Sequence, residues 1–429
     1  MRLPGRLAAA IEVLADVEQR RRPVSEALKA WGLDNRFAGA GDRAAIGNLV
    51  YDALRRRASH AFAMGSDSPR ALVLAVALRD WGETRESLVE AFAGDRHAPE
   101  PPSEAEIAAA ATDLAAAPPA IRADVPEWLA PSLERAFGPD WVEEGQGMAG
   151  RPSLDLRANA LKASPEKVVK SLARFSPQPT FIAPFGITMP AGPRDARTPN
   201  VTTDEGYQKG WFEVQDQGSQ VVAALAGARE GEQVLDLCAG AGGKTLALAA
   251  TMGNRGQIFA YDSDRARLAP IYERLKRNGV RNAQVRAPQP GALDDLVGKM
   301  DRVVVDAPCT GTGTWRRRPD TKWKLTPELL AQRQAEQAAL LAEAQAYLRP
   351  GGVLAYITCS ILPEENDDRV AAFRAAHPGF ETLDIAQAWR SALITDLPDG
   401  LATPAGGLCL TPRRTGTDGF YCHLLRKAG

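Results

Sequence analysis

Two cysteines stand where a reactive thiol would be useful, each at the end of an apolar run. Cys309 ends residues 303–309 (Val-Val-Val-Asp-Ala-Pro-Cys), and Cys359 ends residues 353–359 (Val-Leu-Ala-Tyr-Ile-Thr-Cys). A third apolar run leads into a glycine-rich turn at 236–245 (Asp-Leu-Cys-Ala-Gly-Ala-Gly-Gly-Lys-Thr). Ligands of open α/β sheets bind outside the carboxyl ends of the strands, so the pattern predicts one crevice with a nucleotide-type cofactor beside a thiol nucleophile. Free cysteines are also often small buried hydrophobes, and that interpretation stays open here.

The glycine-rich turn is not a P-loop. That motif requires a glycine at the position that Cys238 occupies here, before Lys244. A second predicted strand ends at Asp262, about 20 residues beyond the glycines, where a carboxylate typically accepts ribose hydroxyls. The glycines let the backbone approach a ligand, and the start of the following helix offers amide donors. Nicotinamide cofactors and S-adenosylmethionine both fit this architecture.

A basic and aromatic stretch follows the first cysteine. Residues 315–323 are Trp-Arg-Arg-Arg-Pro-Asp-Thr-Lys-Trp. Guanidinium groups bind phosphates and indole rings stack on bases, which favours a nucleic-acid substrate and S-adenosylmethionine over a dehydrogenase. Packing of the second tryptophan and bracing of the loop by the arginines are the alternative interpretations. The predicted RNA-binding rim consists of Trp315, Arg316, Arg317, Arg318, Lys322 and Trp323.

The composition defines the class of protein that positions these residues. The chain has 429 residues, of which 45% are hydrophobic and 24% charged, with a formal net charge of -1. This length predicts two or three domains. Because the sequence has neither a membrane-spanning run nor a signal-peptide core, we expect a cytoplasmic protein. Five cysteines without a CxxC pair, and four histidines, predict neither disulfides nor a metal site. Basic clusters at 20–22, 55–57 and 316–318 offer local attraction to phosphate, although most such clusters are solvated faces.

Apolar periodicity divides the chain into three predicted domains. Residues 1–150 have the spacing of a helical bundle, interrupted by a proline-rich linker that begins at His97, and residues 151–205 predict a small α+β module. From 206 to 429 strands alternate with helices, which predicts a Rossmann-like, doubly wound sheet. Two final strands are expected to pair antiparallel. The predicted strands of the third domain lie at 233–237, 257–261, 283–286, 301–305, 352–358, 407–410 and 419–425.

Taken together, the motifs resemble the Sun/Fmu (RsmB-type) family of bacterial ribosomal RNA cytosine-5 methyltransferases. Besides the glycine-rich turn, the likeness includes 212–220 (Phe-Glu-Val-Gln-Asp-Gln-Gly-Ser-Gln), 306–309, 317–323 and 358–366 (Thr-Cys-Ser-Ile-Leu-Pro-Glu-Glu-Asn). It implies a class I S-adenosylmethionine-dependent methyltransferase fold and an N-terminal domain similar to NusB-like RNA-binding domains. The implied activity is methylation of carbon 5 of a cytosine in RNA, with 16S ribosomal RNA as substrate. We expect a monomer that binds neither a membrane nor a metal.

The resemblance also implies roles for individual residues. The segment 238–244 would wrap the methionine part of the cofactor, Asp262 would hold its ribose with help from Arg267, and Asp306 would lie between cofactor and base. Cys359 would be the attacking nucleophile and Cys309 would assist product release, an order that the chemistry of the residues alone leaves open. The implied cofactor-binding residues are Cys238, Ala239, Gly240, Ala241, Gly242, Gly243, Lys244, Asp262, Arg267 and Asp306.

The chain departs from the family pattern at two places. Residues 240–243 are Gly-Ala-Gly-Gly where members commonly have Ala-Pro-Gly-Gly, which loosens the turn and keeps its backbone donors. Members commonly have an adenine-binding aspartate after the third strand, whereas residues 285–290 are Val-Arg-Ala-Pro-Gln-Pro, with Asp294 and Asp295 farther on. Two alternative functions stay open: the same chemistry on transfer RNA or another ribosomal site, and a non-catalytic RNA-binding assembly factor.

Overall fold

The structure is a computed structural model that describes residues 1–93, 95, 98–393 and 395–429. His97, at the start of the predicted linker, lies outside these residues. The chain divides into two compact units. The helical unit comprises Met1–Pro152, Pro190–Thr198 and Trp315–Lys324, and the sheet unit comprises Ser153–Met189, Pro199–Thr314 and Leu325–Gly429. The predicted three-domain division stays a prediction.

The helical unit is built from amphipathic helices. Leu7, Leu14 and Val17 recur on one face of the first helix and are buried in a common core with Leu49 and Leu72. Residues 1–150 are therefore largely helical, as their apolar spacing predicts, while the likeness to a NusB-like domain stays a prediction. Its helices are α1 (Leu3–Arg20), α2 (Val24–Asp34), α3 (Ala40–Arg55), α4 (Arg57–Met64), α5 (Pro69–Ala75, continued by a π-helix at Val76–Asp80), α6 (Arg85–Phe92), α7 (Glu104–Ala110), α8 (Pro119–Arg122), α9 (Ala130–Phe137) and α10 (Trp141–Met148).

The two N-terminal basic clusters contain arginines that pair with acids of the same unit. Arg55 is buried, and its guanidinium forms an ion pair with Asp52 at 2.8 Å. Asp16 pairs with both Arg20 and Arg22. Each of these pairs lies within one helix or at its end, and Arg21 and Arg56 of the same clusters are exposed.

A small antiparallel sheet begins the sheet unit, with the strand order β2-β3-β1-β4. Leu156 of the central strand lies opposite Ile187 on one side and Val214 on the other. Leu156, Ile187, Val168 and Phe212 form its core. The last strand lies beyond residue 205. The elements are β1 (Leu154–Ala158), α11 (Pro165–Ser171), β2 (Gln178–Pro179), β3 (Gly186–Met189), α12 (Glu205–Gln208) and β4 (Phe212–Val214).

The main sheet has the strand order β10-β12-β9-β8-β5-β6-β7, with β11 paired to β12. Strands β9, β8, β5, β6 and β7 run parallel, and β12 lies antiparallel between β10 and β9. The elements are α13 (Gln217–Leu225), β5 (Gln233–Asp236), α14 (Gly243–Thr251), β6 (Gln257–Tyr261), α15 (Arg265–Leu268), α16 (Ile271–Asn278), β7 (Ala283–Arg286), β8 (Met300–Asp306), α17 (Pro319–Lys324, in the helical unit), α18 (Pro327–Tyr347), β9 (Leu348–Thr358), α19 (Asp367–Ala376), β10 (Phe380–Thr382), α20 (Ile385–Ala392), β11 (Leu408–Leu410), α21 (Pro412–Thr415) and β12 (Phe420–Lys427).

This topology confirms the predicted doubly wound α/β sheet and the antiparallel pairing of the last two strands. Residues 353–357 of β9 (Val-Leu-Ala-Tyr-Ile) form an unbroken apolar run because both faces of the strand are covered. Residues 265–278 form two helices, α15 and α16, since Pro270 lacks the N–H that would continue the ladder.

Within the described residues, no single helix is long and apolar enough to cross a membrane; one bent pair, Arg57–Met64 with Pro69–Asp80, meets the requirements of length and composition when its members are taken together. The same residues contain no group of three histidines, cysteines or acids placed to hold a metal ion.

Candidate active site

Three neighbouring strands of the sheet unit end at one edge of the main sheet. Strands β5, β8 and β9 are adjacent, with Asp236 opposite Val304 and Asp306 opposite Ile357. Their carboxyl ends continue into the glycine-rich turn, the Cys309 loop and Cys359. The sulfur atoms of Cys309 and Cys359, 50 positions apart in sequence, lie 3.3 Å from each other. The structure thus brings the two thiols into contact at the edge where parallel sheets bind ligands.

The surroundings of the thiol pair favour a proton on Cys309. The hydrogen bond with Cys359 raises the pKa of the Cys309 thiol well above its ordinary value, and burial and the nearby Glu365 carboxylate raise it further. Cys309 therefore holds its proton at neutral pH, 3.3 Å from the second sulfur. A protonated thiol beside a second sulfur suits a pair in which one member attacks and the other donates or accepts a proton.

Glu365 fixes the loop that carries Cys309. It is fully buried, and its Oε1 accepts hydrogen bonds from the backbone N–H of Thr310 (2.8 Å) and from Nε2 of Gln337 (3.0 Å). Its Oε2 accepts a bond from the hydroxyl of Thr310 at 2.5 Å. Three donors on a buried carboxylate hold it in one orientation, so the residue next to Cys309 is held as well.

A second buried network fixes the turn that carries Cys359. The hydroxyl of Thr358 donates to Oδ1 of Asn366 at 2.6 Å, and Nδ2 of Asn366 donates to the carbonyl of Ser360 at 2.9 Å. The hydroxyls of Ser360 and Thr312 are 3.0 Å apart, which links this turn to the segment after Cys309. Both neighbours of Cys359 are fully buried, so the thiol is presented from a rigid turn.

The carboxylate of Asp306 is held by a buried lysine. The ammonium of Lys244, 5% exposed, donates to Oδ2 of Asp306 at 3.0 Å and to the hydroxyl of Ser219 at 2.9 Å. The same hydroxyl accepts a bond from Nε2 of Gln215 at 3.1 Å. The lysine predicted to contact the cofactor therefore orients a carboxylate at the end of β8, and Asp306 forms a charge-assisted hydrogen bond in an ion pair.

The glycine-rich turn is tied to the end of β6. Gly240 and Gly242 have positive φ angles of 50° and 85°, and a Cβ on Gly242 would lie 2.6 Å from Cγ1 of Ile271. The N–H of Gly240 donates to Oδ2 of Asp262 at 2.9 Å, and Arg267 lies 3.6 Å from the same oxygen. Asp262 itself is 2% exposed. This carboxylate therefore sets the shape of the turn.

The same turn has the properties that a bound S-adenosylmethionine requires. A Cβ on Gly240 would lie 3.6 Å from Nη2 of Arg267 and 3.8 Å from Oδ2 of Asp262, so both side chains lie against this part of the turn. The ladder of α14 begins with the N–H of Leu246 donating to Gly242 (2.9 Å), so the amides of Gly243 and Lys244 lie ahead of it. Ala239 and Ala241 complete the turn. A glycine-rich turn, helix amides and a carboxylate on the next strand fit a nucleoside cofactor.

The pKa of Asp236, at the end of β5, is set mainly by burial. Asp236 is fully buried; its Oδ2 accepts a hydrogen bond from the hydroxyl of Thr245 at 2.6 Å, while Oδ1 has no partner among the described residues. Burial raises the pKa of Asp236 to about 7, against the opposing hydrogen bond from Thr245. This residue therefore supports the turn from below. Burial likewise raises the pKa of the Cys238 thiol, which disfavours a thiolate there.

The departure after the third strand has a structural counterpart. Arg286, the last residue of β7, donates to Oδ2 of Asp295 at 2.7 Å and lies over the ring of Phe259. Asp295 is thus engaged by an arginine of the strand end itself.

The predicted RNA-binding rim belongs to the helical unit. Lys322 is fully buried, and its ammonium donates to the carbonyl of Arg55 at 2.8 Å. Burial lowers the pKa of Lys322 to about 8, with Asp124 opposing the shift. Nε1 of Trp323 donates to the carbonyl of Leu54 at 2.6 Å, and its ring packs on the helical core.

These positions disagree with a surface role for Lys322, because the helical core covers it completely. Arg316 is 5% exposed and its carbonyl accepts a bond from Nε of Arg55, whereas Arg317 is half-buried and Arg318 is exposed. The segment therefore works mainly as an anchor in the helical unit, with Arg318 as its exposed cation.

The residues that orient the candidate catalytic groups are not among the site residues predicted from the sequence. Gln215 and Ser219 lie in the motif at 212–220, and Glu365 and Asn366 lie in the motif at 358–366. Their signal was a polar residue inside a segment that is otherwise buried, since such a residue must find a partner in the interior.

Comparison with known proteins decides the family. A family model described as 16S rRNA methyltransferase RsmB/F matches residues 223–426. A probable ribosomal RNA small subunit methyltransferase B from Synechocystis sp. is 33% identical over 310 residues, which cover 71% of this chain and 67% of that protein. The chain belongs to the RsmB/F family. The ribosomal RNA small subunit methyltransferase B of Klebsiella pneumoniae is 36% identical to this family member over 261 residues, 60% of this chain and 58% of the relative.

A solved structure shows the same fold over the whole chain. The protein PH0851 is 23% identical, with a TM-score of 0.74 and coverage of 100% of both chains. The family match and this likeness confirm the predicted family and the predicted class I methyltransferase fold of the RsmB/F protein.

Proposed function

We propose that this RsmB/F-family protein transfers a methyl group from S-adenosylmethionine to carbon 5 of a cytosine in 16S ribosomal RNA, through a covalent bond between Cys359 and the base. The contact of 3.3 Å between the sulfurs of Cys359 and Cys309, beside the glycine-rich turn on β5, supports this proposal most strongly. The small-subunit ribosomal RNA methyltransferases among its relatives support the substrate.

Carbon 5 of cytosine is a weak nucleophile, so the ring must first be activated. The thiolate of Cys359 forms a bond to carbon 6, and the electron pair of the C5–C6 double bond makes carbon 5 nucleophilic. Asp306, held by Lys244, accepts a hydrogen bond from the exocyclic amine of the base and fixes the ring. Bound S-adenosylmethionine supplies the electrophilic methyl group on its sulfonium sulfur.

Release of the product requires two proton movements. Carbon 5 loses its proton, that electron pair restores the C5–C6 double bond, and the C6–S pair returns to the sulfur of Cys359. Cys309 gives its thiol proton to this departing sulfur and takes the carbon 5 proton in exchange, so both thiols end protonated. The raised pKa of Cys309 makes it the proton carrier of the pair.

The turn at 238–244 and Asp262 are proposed to hold the cofactor. Backbone amides at the start of α14 face the cofactor, and Asp262 keeps the turn in shape while Arg267 shields its carboxylate. Lys244 acts through Asp306. This assignment follows the resemblance for residues 238–243. It departs from the resemblance at Lys244, which contacts a protein carboxylate, and at Asp262 and Arg267, which act on the turn rather than on the ribose directly.

The proposal also includes a monomeric cytoplasmic enzyme that recognises RNA through exposed cations such as Arg318. Light scattering on the purified protein measures the oligomeric state directly.

A methylation assay tests the function. Purified enzyme, S-adenosylmethionine with a labelled methyl group, and 16S ribosomal RNA from cells that lack the enzyme should give 5-methylcytosine at one position, mapped by mass spectrometry. Transfer RNA from the same cells serves as the second substrate, and Cys359→Ala as the inactive control. Labelling of transfer RNA alone would identify transfer RNA as the substrate. If the enzyme binds the cofactor and labels no RNA, the proposal is overturned.

A further inference from the structure

The sheet unit contains a cavity of about 550 Å³ that the proposed chemistry does not use. Its walls come from α13, α14 and α20, from the loop between β2 and β3, and from the first residues of β8 and the C-terminal part of β12. Arg302 of β8 and Arg426 of β12 line the cavity, and both lie opposite Val353 of β9. Arg302 precedes Asp306 by four positions along β8. This part of the cavity is therefore at the amino end of the parallel strands, away from the thiols.

Arg157 lines the cavity as a buried cation that forms no direct ion pair among the described residues. It is 5% exposed, and its Nε donates to Oε1 of Gln215 at 2.7 Å. Within the described residues, its two Nη atoms have no acceptor. Glu213, which lies opposite Arg157 on the neighbouring strand, already accepts bonds from Arg274, Arg277 and Asn278.

Such a cation is costly to bury alone, because a desolvated guanidinium needs an anion or several acceptors. Burial lowers the pKa of Arg157 to about 10, only partly offset by Glu213.

Gln220 adds an unpaired acceptor to the same wall. It is 5% exposed, and its Nε2 donates to the carbonyls of Leu156 (3.1 Å) and Gln215 (2.8 Å). Its Oε1 has no partner in the part of the chain that the structure describes. Gln220 lines the cavity, while its unpaired oxygen is enclosed within the wall.

The remaining charges of the cavity also favour an anionic ligand. Arg229 and Arg426 line it, are exposed and have no ion pair among the described residues. Arg302 is paired with Glu232, and Asp384 is the acid of the lining, its Oδ1 capping α20. Positive charge thus dominates a cavity that also has apolar walls, and arginine clusters favour phosphate.

We propose that this cavity binds a phosphate-bearing ligand of mononucleotide size, with the phosphate on Arg157. The half-exposed ring of Phe185 and the alanine-rich sides of α13 and α20 contact the rest of the ligand. The phosphate belongs either to a free nucleotide or to a nucleotide of an RNA strand, since both present the same group.

Calorimetry on the full chain tests the proposal, with S-adenosylhomocysteine at saturation so that the cofactor site is blocked. We expect 5′-AMP to bind and adenosine not to bind. Arg229→Ala and Arg426→Ala should each weaken AMP binding about tenfold, and Arg157→Met should abolish it. Arg390→Ala is the matched control, because Arg390 is exposed on α20 and does not line the cavity.

The outcomes separate the two sources. Binding of AMP identifies a free nucleotide, whereas binding of a short single-stranded RNA alone, weakened by the same variants, identifies an RNA strand. If neither binds, or if Arg229→Ala and Arg426→Ala leave binding unchanged, the cavity holds only water and the proposal is overturned. Because the readout is binding with the cofactor site blocked, loss of methylation activity would not affect it.

Discussion

The sulfur of Cys309 lies 3.3 Å from the sulfur of Cys359, although 50 positions separate the two residues. Strands β8 and β9 are parallel neighbours, so the loops at their carboxyl ends meet. Hydrogen bonds of Glu365 fix the Cys309 loop, and those of Asn366 fix the turn at Cys359. The contact between the two sulfurs is therefore held by buried hydrogen bonds on both sides.

The two thiols should fail at different steps. Cys359→Ala should abolish methylation and form no adduct with RNA, because no thiolate adds to carbon 6. Cys309→Ala should still attack and transfer, and then accumulate a denaturation-resistant RNA adduct because release is blocked. Denaturing gels with labelled RNA distinguish the variants. An adduct that forms with Cys359→Ala and not with Cys309→Ala would reverse the roles.

Glu365 should affect both structure and proton transfer. Glu365→Ala leaves the backbone N–H and the hydroxyl of Thr310 without an acceptor, at about 1–3 kcal/mol for each buried donor. The amide of Gln337 loses one of its two acceptors and keeps the carbonyl of Pro308. We expect a lower melting temperature and less adduct. Glu365→Gln keeps an acceptor oxygen and removes the charge, so the pKa of Cys309 should fall.

The pH profile of product release separates these effects. In Glu365→Gln the profile should shift to lower pH while the melting temperature stays close to that of the wild type. An unshifted profile in a folded variant would show that Glu365 acts through structure alone.

Asp262 should control binding of the cofactor through the turn. Asp262→Ala removes the acceptor of the Gly240 N–H, and S-adenosylmethionine should bind at least about tenfold more weakly, the cost of about one charge-assisted hydrogen bond. Glu273→Ala, on the exposed side of α16, serves as the control. Calorimetry measures both. Wild-type affinity in Asp262→Ala would remove this residue from the site.

Asp236 should make stability depend on pH. Burial raises its pKa from 3.8 to about 7 in the folded state, so protonation favours folding. Its contribution to the free energy of unfolding is full below pH 3.8 and is lost as the pH rises through about 7. Asp236→Asn, which mimics the protonated carboxyl, should therefore be more stable relative to the wild type at pH 8 than at pH 4. Thermal unfolding at both values gives the difference, and an equal difference at both would contradict the shift.

Within residues 315–323, we expect Trp323 to stabilise the helical unit and Arg318 to contribute to RNA binding. Trp323→Ala removes an indole that packs on the helical core and bonds to Leu54, and should cost about 2 kcal/mol of stability. Arg318→Ala should leave stability unchanged and reduce by about 1 the slope of log affinity for RNA against log salt. Chemical unfolding and salt titrations report the two effects. The opposite assignment of effects would restore Trp323 to the RNA surface.

Local sequence determined the architecture of the sheet unit and the residues at its edge. Buried parallel strands are continuous apolar runs, and a glycine-rich turn marks the first strand end, so Cys309, Cys359 and Asp306 could be placed at strand ends from the pattern alone. Because parallel strands end at the same edge, a shared crevice follows from that pattern. The resemblance added the order of the two thiols.

Tertiary structure alone decided which partner each polar group takes. Lys244 bonds to Asp306, 62 positions away, and Lys322 bonds to the carbonyl of Arg55, 267 positions away. In the sequence Lys322 stands in a basic stretch that is typical of a surface, and the helical core that covers it is not visible there. The sequence gives no sign that Arg157 forms no direct ion pair among the described residues. Local pattern records propensity and hydrophobicity, whereas the pairing of a buried charge depends on long-range packing that brings distant segments together.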